Sequence, residues 1–201
     1  MEIQKALQEL RKYEKRKFIQ TVDLIINLQK FDARKEAVNN FIALPHTAEK
    51  KICAFLTRKT DLVDTIIKEE FDKFKEEGDI KRLAKKYDSF IAVASLMPLI
   101  ATKFGRFFGP MGKMPSPQAG IIPLDNDNVV KEMLEKMKKL IRVRTKESSL
   151  KIAIGNESMS DIEIEENIKA AINAIENILP KKKDNIRNVM IKFTMTPAVK
   201  L

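Results

Sequence analysis

The chain has one cysteine, one histidine and no tryptophan in 201 residues. A single thiol, Cys53, excludes an internal disulfide and fits a reducing, cytoplasmic setting. Cys53 and His46 fall short of the usual zinc ligand sets and of a conventional Cys–His nucleophile pair, so no metal and no cofactor is expected. Long apolar runs are also missing. The longest, residues 90–101, is too short to span a bilayer and is broken by Pro98, and residues 1–18 lack the apolar centre of a signal peptide. Glycine is scarce and clustered: four of the six lie in residues 104–120, FGRFFGPMGKMPSPQAG, a stretch that carries Arg106 and Lys113 and no acid.

What the chain has in quantity is charge. Lys and Arg outnumber Asp and Glu 38 to 28, a formal net charge of +10 with a pI near 9.6. Such a balance favours a polyanionic partner, nucleic acid first and an anionic membrane surface second. Hydrophobic residues at 44% are enough to build a sizeable core.

Periodicity divides the chain. Ile3, Leu7 and Leu10 predict a helix over 2–16, ending in the cluster Lys15-Arg16-Lys17. That cluster suits either the helix dipole or an RNA contact. Residues 18–28 alternate as a half-buried strand, and FIAL before Pro45-His46 makes a short second one. In the middle, KKICAFLT reads as a buried strand and residues 60–77 as a helix with Thr60 as N-cap and Gly78 past its end. DIKRLAKKY reads as a short helix, DSFIAVASL as a strand and MPLIATKF as a helix, before the glycine-rich stretch and a helix over 127–140. The tail has two short strands, IRVRT and LKIAIG, around a turn. A strong helix follows, opened by the Ser160/Glu163 capping pattern and stopped by Pro180, then an alternating strand over 187–195. The ends therefore read as α+β and the middle as βαβα. The expectation is a two-lobe protein: an outer α+β split sandwich, residues 1–46 with 141–201, into which a Rossmann-like α/β domain, residues 47–140, is inserted.

No motif assembles a catalytic centre, and the chain is expected not to be an enzyme. A phosphate-binding loop needs G-x-x-x-x-G-K-[ST], whereas Met114 follows Gly112-Lys113 and supplies no hydroxyl. Gly109-Pro-Met-Gly112 has the GXXG form that clamps nucleic-acid backbones, although Pro110 removes an amide donor. A stretch that merely turns corners is the plainer alternative. Asp125-Asn126-Asp127 lacks the glycine and closing glutamate of a calcium loop and reads as a turn and N-cap. On the strands, Thr21, Asn188, Lys192 and Thr194 form a polar face. It would serve as a solvated sheet surface or as a close-fitting surface for a sugar–phosphate backbone.

Taken together, FGRFFGPMGKMPSPQAG closely resembles the LG..LGPRG.MP.P..G signature of the L-one family of large-subunit ribosomal proteins. KFIQTVDLIINL, FDARK, Leu44-Pro45-His46 and TMTPAVK resemble the family's other segments in the same order, so the resemblance covers essentially the whole chain. It implies two lobes joined by a two-stranded hinge at His46, Thr47, Leu140 and Ile141. The outer lobe is expected to bind large-subunit ribosomal RNA at the mobile stalk beside the tRNA exit site. Its contacts would be Lys17, Phe18, Thr21, Asn188, Lys192, Thr194, Met195 and Thr196, with Phe18 able to lie on the core face instead. Arg106 and Lys113 would give a secondary RNA or tRNA contact. The resemblance further implies repression of the protein's own messenger RNA, and a monomer when free. A regulator that binds messenger RNA without joining the ribosome is the alternative.

Three positions depart from the family pattern. Thr196 replaces a glycine, which narrows the approach to the backbone there. Met111 replaces an arginine of the central stretch, and Thr47 replaces the glycine after LPH, which stiffens the hinge.

Overall fold

A computed structural model describes every residue except 1, 2, 15, 33, 34, 37, 48, 49, 75 and 146. Lys15 of the basic cluster and Ala33 and Arg34 of FDARK thus lie outside the described residues. The chain divides into an outer unit, Met1–Ala48 with Lys139–Leu201, and a central unit, Glu49–Lys138.

In the outer unit α1 covers Ile3–Arg11, shorter than its sequence pattern, with Ala6, Leu7 and Leu10 buried at helical spacing. Strands β1 (Thr21–Leu28), β8 (Ser149–Asn156), β9 (Ile186–Phe193) and β10 (Val199–Lys200) form an antiparallel sheet in the order β10-β9-β1-β8. Val22, Leu24 and Ile26 of β1 face a core shared with Ile152, Ile154, Ile191 and Phe193, with α1 and with the long helix that follows β8. Helix α5 spans Asp161–Ile178. The Ser160 hydroxyl accepts the Glu163 N–H at 3.3 Å and the Glu163 carboxylate accepts the Ser160 N–H at 2.9 Å, the reciprocal pair expected from the sequence. A second sheet pairs β2 (Asn39–Ala43) with β7 (Leu140–Arg144), so β7 and β8 do not form a hairpin across their turn.

The central unit is a parallel sheet in the order β4-β3-β5-β6: β3 Ile52–Leu56, β4 Asp64–Ile67, β5 Ser89–Val93, β6 Ile121–Ile122. Helices α2 (Glu77–Lys86), α3 (Met97–Met111) and α4 (Asp127–Lys139) accompany it. Phe55, Phe71, Phe90, Phe104 and Phe108 build its core.

Two expectations are corrected here. The helix predicted over 60–77 is strand β4 followed by a 3-10 segment, Lys68–Lys73. Thr65, Ile66 and Ile67 are β-branched and pair with Ala54, Phe55 and Leu56 of β3, which outweighs the helical spacing. Gly78, expected to end that helix, lies in the first turn of α2. The glycine-rich stretch is likewise not one loop. Its first half continues α3 as far as Met111, because Ile100, Phe104 and Phe108, all fully buried, form one helical stripe. Gly109 is helical, so no GXXG loop exists. Gly112, in the left-handed region at φ 71°, ends the helix. Gly120, at φ 108°, passes so close to β5 that a Cβ would meet the Phe90 carbonyl oxygen at 2.7 Å.

Candidate nucleic-acid interface

At the start of β1 the strand leaves the exposed segment Lys17-Phe18-Ile19 and meets the turn that follows β9. Phe18 is 52% exposed and Met195 59% exposed, so Phe18 lies off the core face, before the strand rather than in it. Each residue of the turn is tied. The Thr194 hydroxyl accepts the Thr21 N–H at 3.0 Å. The Met195 N–H donates to the side-chain oxygen of Gln20 at 3.1 Å. The Thr196 hydroxyl accepts the Phe193 N–H at 2.9 Å, and the Thr196 N–H closes the turn on the Phe193 carbonyl at 3.2 Å.

Thr196 therefore differs from its expected role. Its side chain is 7% exposed and turned into the turn it closes, so it neither offers a hydroxyl to a ligand nor narrows the approach from outside. The exposed apolar side chains at this end are Phe18, Ile19 and Met195, with Lys17 and Arg16 beside them. Arg11, Arg16, Lys17, Phe18, Ile19, Glu157 and Ser158 line a shallow groove there. Arg11 anchors one wall, with its guanidinium on Asp161 at 2.6 Å and on the Met159 carbonyl at 2.9 Å.

The rest of the polar face is partly engaged within the sheet. Asn188 accepts from the Asn27 amide at 2.7 Å. Lys192 stands opposite Asp23. Burial pushes the Asp23 carboxyl up, and the Lys192 charge opposes that shift. Exposed apolar side chains are thus concentrated at the strand end rather than spread along the face.

The central candidates divide. Arg106 is exposed and its guanidinium meets Glu77 at 3.0 Å. Lys113 is not available as a phosphate ligand. Its ammonium donates to the carbonyls of Ala84 at 2.8 Å and Tyr87 at 2.7 Å, closing the C-terminal end of α2 where the helix dipole favours a cation. The nucleotide reading of this stretch goes with it.

Around the expected hinge, Leu140 and Ile141 sit in β7 opposite Ala43 and Ile42, and Thr47 is exposed. The His46 backbone is clamped by Asn167 of α5. The Asn167 side chain accepts the His46 N–H at 2.9 Å and donates to the His46 and Ile154 carbonyls, each at 2.8 Å. The His46 ring reaches the Glu166 carboxylate.

The sequence reading missed Gln20 and Asn167, both of which are buried. A signal was present. Gln20 has the parity of Val22, Leu24 and Ile26, and Asn167 lies on the stripe of Ile164, Ile168 and Ala171. A polar residue in a core position needs a buried partner.

Residues 10–197 match the ribosomal protein L1p/L10e family. Proteins named large ribosomal subunit protein uL1 are similar over nearly the whole chain. The one from Thermococcus kodakarensis is 39% identical, covering 92% of this chain and 89% of its own. That from Nanoarchaeum equitans is 36% identical, with 97% of each chain covered. That from Methanocaldococcus jannaschii is 32% identical over 98% of this chain and 93% of its own. With the family match running over residues 10–197 and relatives covered over nearly their whole length, this mixed α/β chain belongs to the ribosomal protein L1p/L10e family.

Proposed function

We propose that the protein is a non-enzymatic constituent of the large ribosomal subunit that binds its RNA through the outer unit, at the strand end formed by Lys17, Phe18, Thr21, Thr194 and Met195. One observation carries the location: the exposed Met195 side chain stands on backbone tied to Gln20, beside the Thr21–Thr194 bond, and exposed Phe18 lines the basic groove at the same strand end. Preordered apolar and hydroxyl groups suit recognition of a folded RNA by shape and 2′-hydroxyls, while Arg16 and Lys17 neutralise phosphate. The position at the mobile stalk beside the tRNA exit site, repression of the protein's own messenger RNA and contact with exit-site tRNA follow from the family resemblance. So does the division of labour between an outer RNA-binding domain, residues 1–46 with 141–201, and a central domain, residues 47–140. Asn188 and Lys192 take a lesser part in this reading, because each already faces a partner in the sheet.

The test is binding to the stalk fragment of large-subunit ribosomal RNA across a salt series, against an unrelated structured RNA. Wild type should keep its preference at high salt, since counterion release alone gives steep salt loss and little discrimination. Met195→Ala should weaken specific binding by about fivefold or more, as expected for an interface anchor. Lys113→Ala should leave RNA affinity unchanged at temperatures where it is folded. Equal affinity for both RNAs, or loss only in Lys113→Ala, overturns the proposal. Binding to the messenger RNA without co-sedimentation with large subunits would favour the non-ribosomal regulator.

A further inference from the structure

Gln20 is 2% exposed, yet its neighbour Ile19 is 67% exposed and the strand end around it is open. Three segments meet at this one residue. Its side-chain oxygen accepts the Met195 N–H at 3.1 Å. Its side-chain nitrogen donates to the Glu157 carboxylate at 3.4 Å. Its backbone carbonyl accepts the Glu157 N–H at 2.8 Å. The start of β1, the turn after β9 and the connection from β8 to α5 are thereby held together.

The residue type is informative. Position 20 has core parity, and the next positions of that parity are Val22, Leu24, Ile26 and Leu28, all buried. A leucine would continue the core but leave the Met195 N–H and the Glu157 carboxylate without this partner. The flanking Thr194 and Thr196 are held by their own hydroxyls, on Thr21 and Phe193. The Gln20 bond is the tie made by the Met195 backbone itself, and Met195 carries the exposed side chain of the turn.

We infer that Gln20 is a positioning residue for RNA recognition: it fixes the backbone of Met195, and so the direction of that side chain, without touching RNA. The inference rests on the RNA-binding reading of this strand end. It adds a residue to which the family resemblance assigned no role.

The experiment is a double-mutant cycle on the stalk RNA fragment with wild type, Gln20→Ala, Met195→Ala and the double variant. All four are compared at a temperature where circular dichroism shows them folded. Gln20→Ala should weaken binding about 3- to 10-fold, the effect of one net hydrogen bond. In the Met195→Ala background the same change should cost less than about twofold, because coupled residues are not additive. The Met195 amide should exchange faster in Gln20→Ala. Gln20→Glu retains the acceptor for Met195 but sets a second carboxylate against Glu157. Adding Glu157→Gln reverses donor and acceptor and should restore near-wild-type affinity, which covers the case in which Gln20→Ala fails to fold.

Equal losses in both backgrounds, or undiminished affinity in Gln20→Ala, would overturn the inference alone. If wild type shows no preference for the stalk RNA, the RNA-binding reading fails and this inference falls with it.

Discussion

The two units are held by different physics. In the central unit the core is aromatic: Phe55, Phe71, Tyr87, Phe90, Phe104 and Phe108 are all buried, and Phe90 and Phe108 stack at 4.4 Å between centroids. Among its described residues no Asn, Gln, Ser, Thr or charged residue is buried. Among its described residues the outer unit has an aliphatic core with Phe193 as its one buried aromatic, yet Gln20, Thr145, Asn167, Asn185 and Thr196 are buried in it. Burial of rings is non-directional, so it can stabilise a layered fold without fixing any one loop. Hydrogen bonds from buried amides and hydroxyls fix particular backbone groups in place. Thr145 holds Val38, Asn185 holds Gln29, Asn167 holds His46 and Gln20 holds Met195. The central unit has ties of its own, Lys113 on Ala84 and Tyr87 and Asp125 on Thr57 and Arg58, but they come from side chains that are only partly buried, whereas the unit that carries the candidate interface makes its ties from buried ones.

The comparison can be broken from either side. The largest effect is expected in the aromatic core. Phe104 is fully buried against Phe55, Phe71, Phe74 and Phe108. Phe104→Ala should cost about 3–5 kcal/mol. Hydrogen exchange during a urea titration should show the loss in peptides of the central unit, with the outer unit protected. Next comes the outer clamp. Asn167→Ala strips the His46 N–H and two carbonyls of their partner, and should cost about 2–3 kcal/mol. Here exchange should rise first at His46. If both variants instead unfold the whole chain in one transition, the two units are not separately stabilised.

The smallest effect concerns acid. Hydrogen bonds from Lys73 and Lys59 hold the Glu70 carboxyl down at about 2, below its ordinary 4.5. A depressed carboxyl contributes stability above its unfolded value and loses it as pH falls through the folded one. Glu70→Gln should therefore flatten the acid limb of the central unit between pH 4.5 and 2, while the wild-type carboxyl titrates near 2 by NMR. A Glu70 titration in the ordinary range would show that those lysines do not pair with it in solution.

Much of the fold was legible because it is local. The α5 stripe and its capping box, the alternation of β1 and β9, and the buried run of β3 are written in residues a few positions apart. The errors arose where a distant partner decided. Residues 64–67 have helical spacing but join β3 as a strand, and the glycine-rich stretch is half helix because Phe104 and Phe108 reach the aromatic core.

By itself the sequence determined the alternation of elements, the basic charge and the family signature, since each depends only on residue type and spacing. Tertiary structure alone decided which polar groups remain free to act. Lys113 looks available until the carbonyls of Ala84 and Tyr87 are brought to its ammonium. Thr196 looks exposed until its turn folds the hydroxyl onto Phe193, and Gln20 looks incidental until Met195, far away in sequence, arrives beside it. A side chain's chemistry is local, but its availability depends on neighbours that only the folded chain supplies.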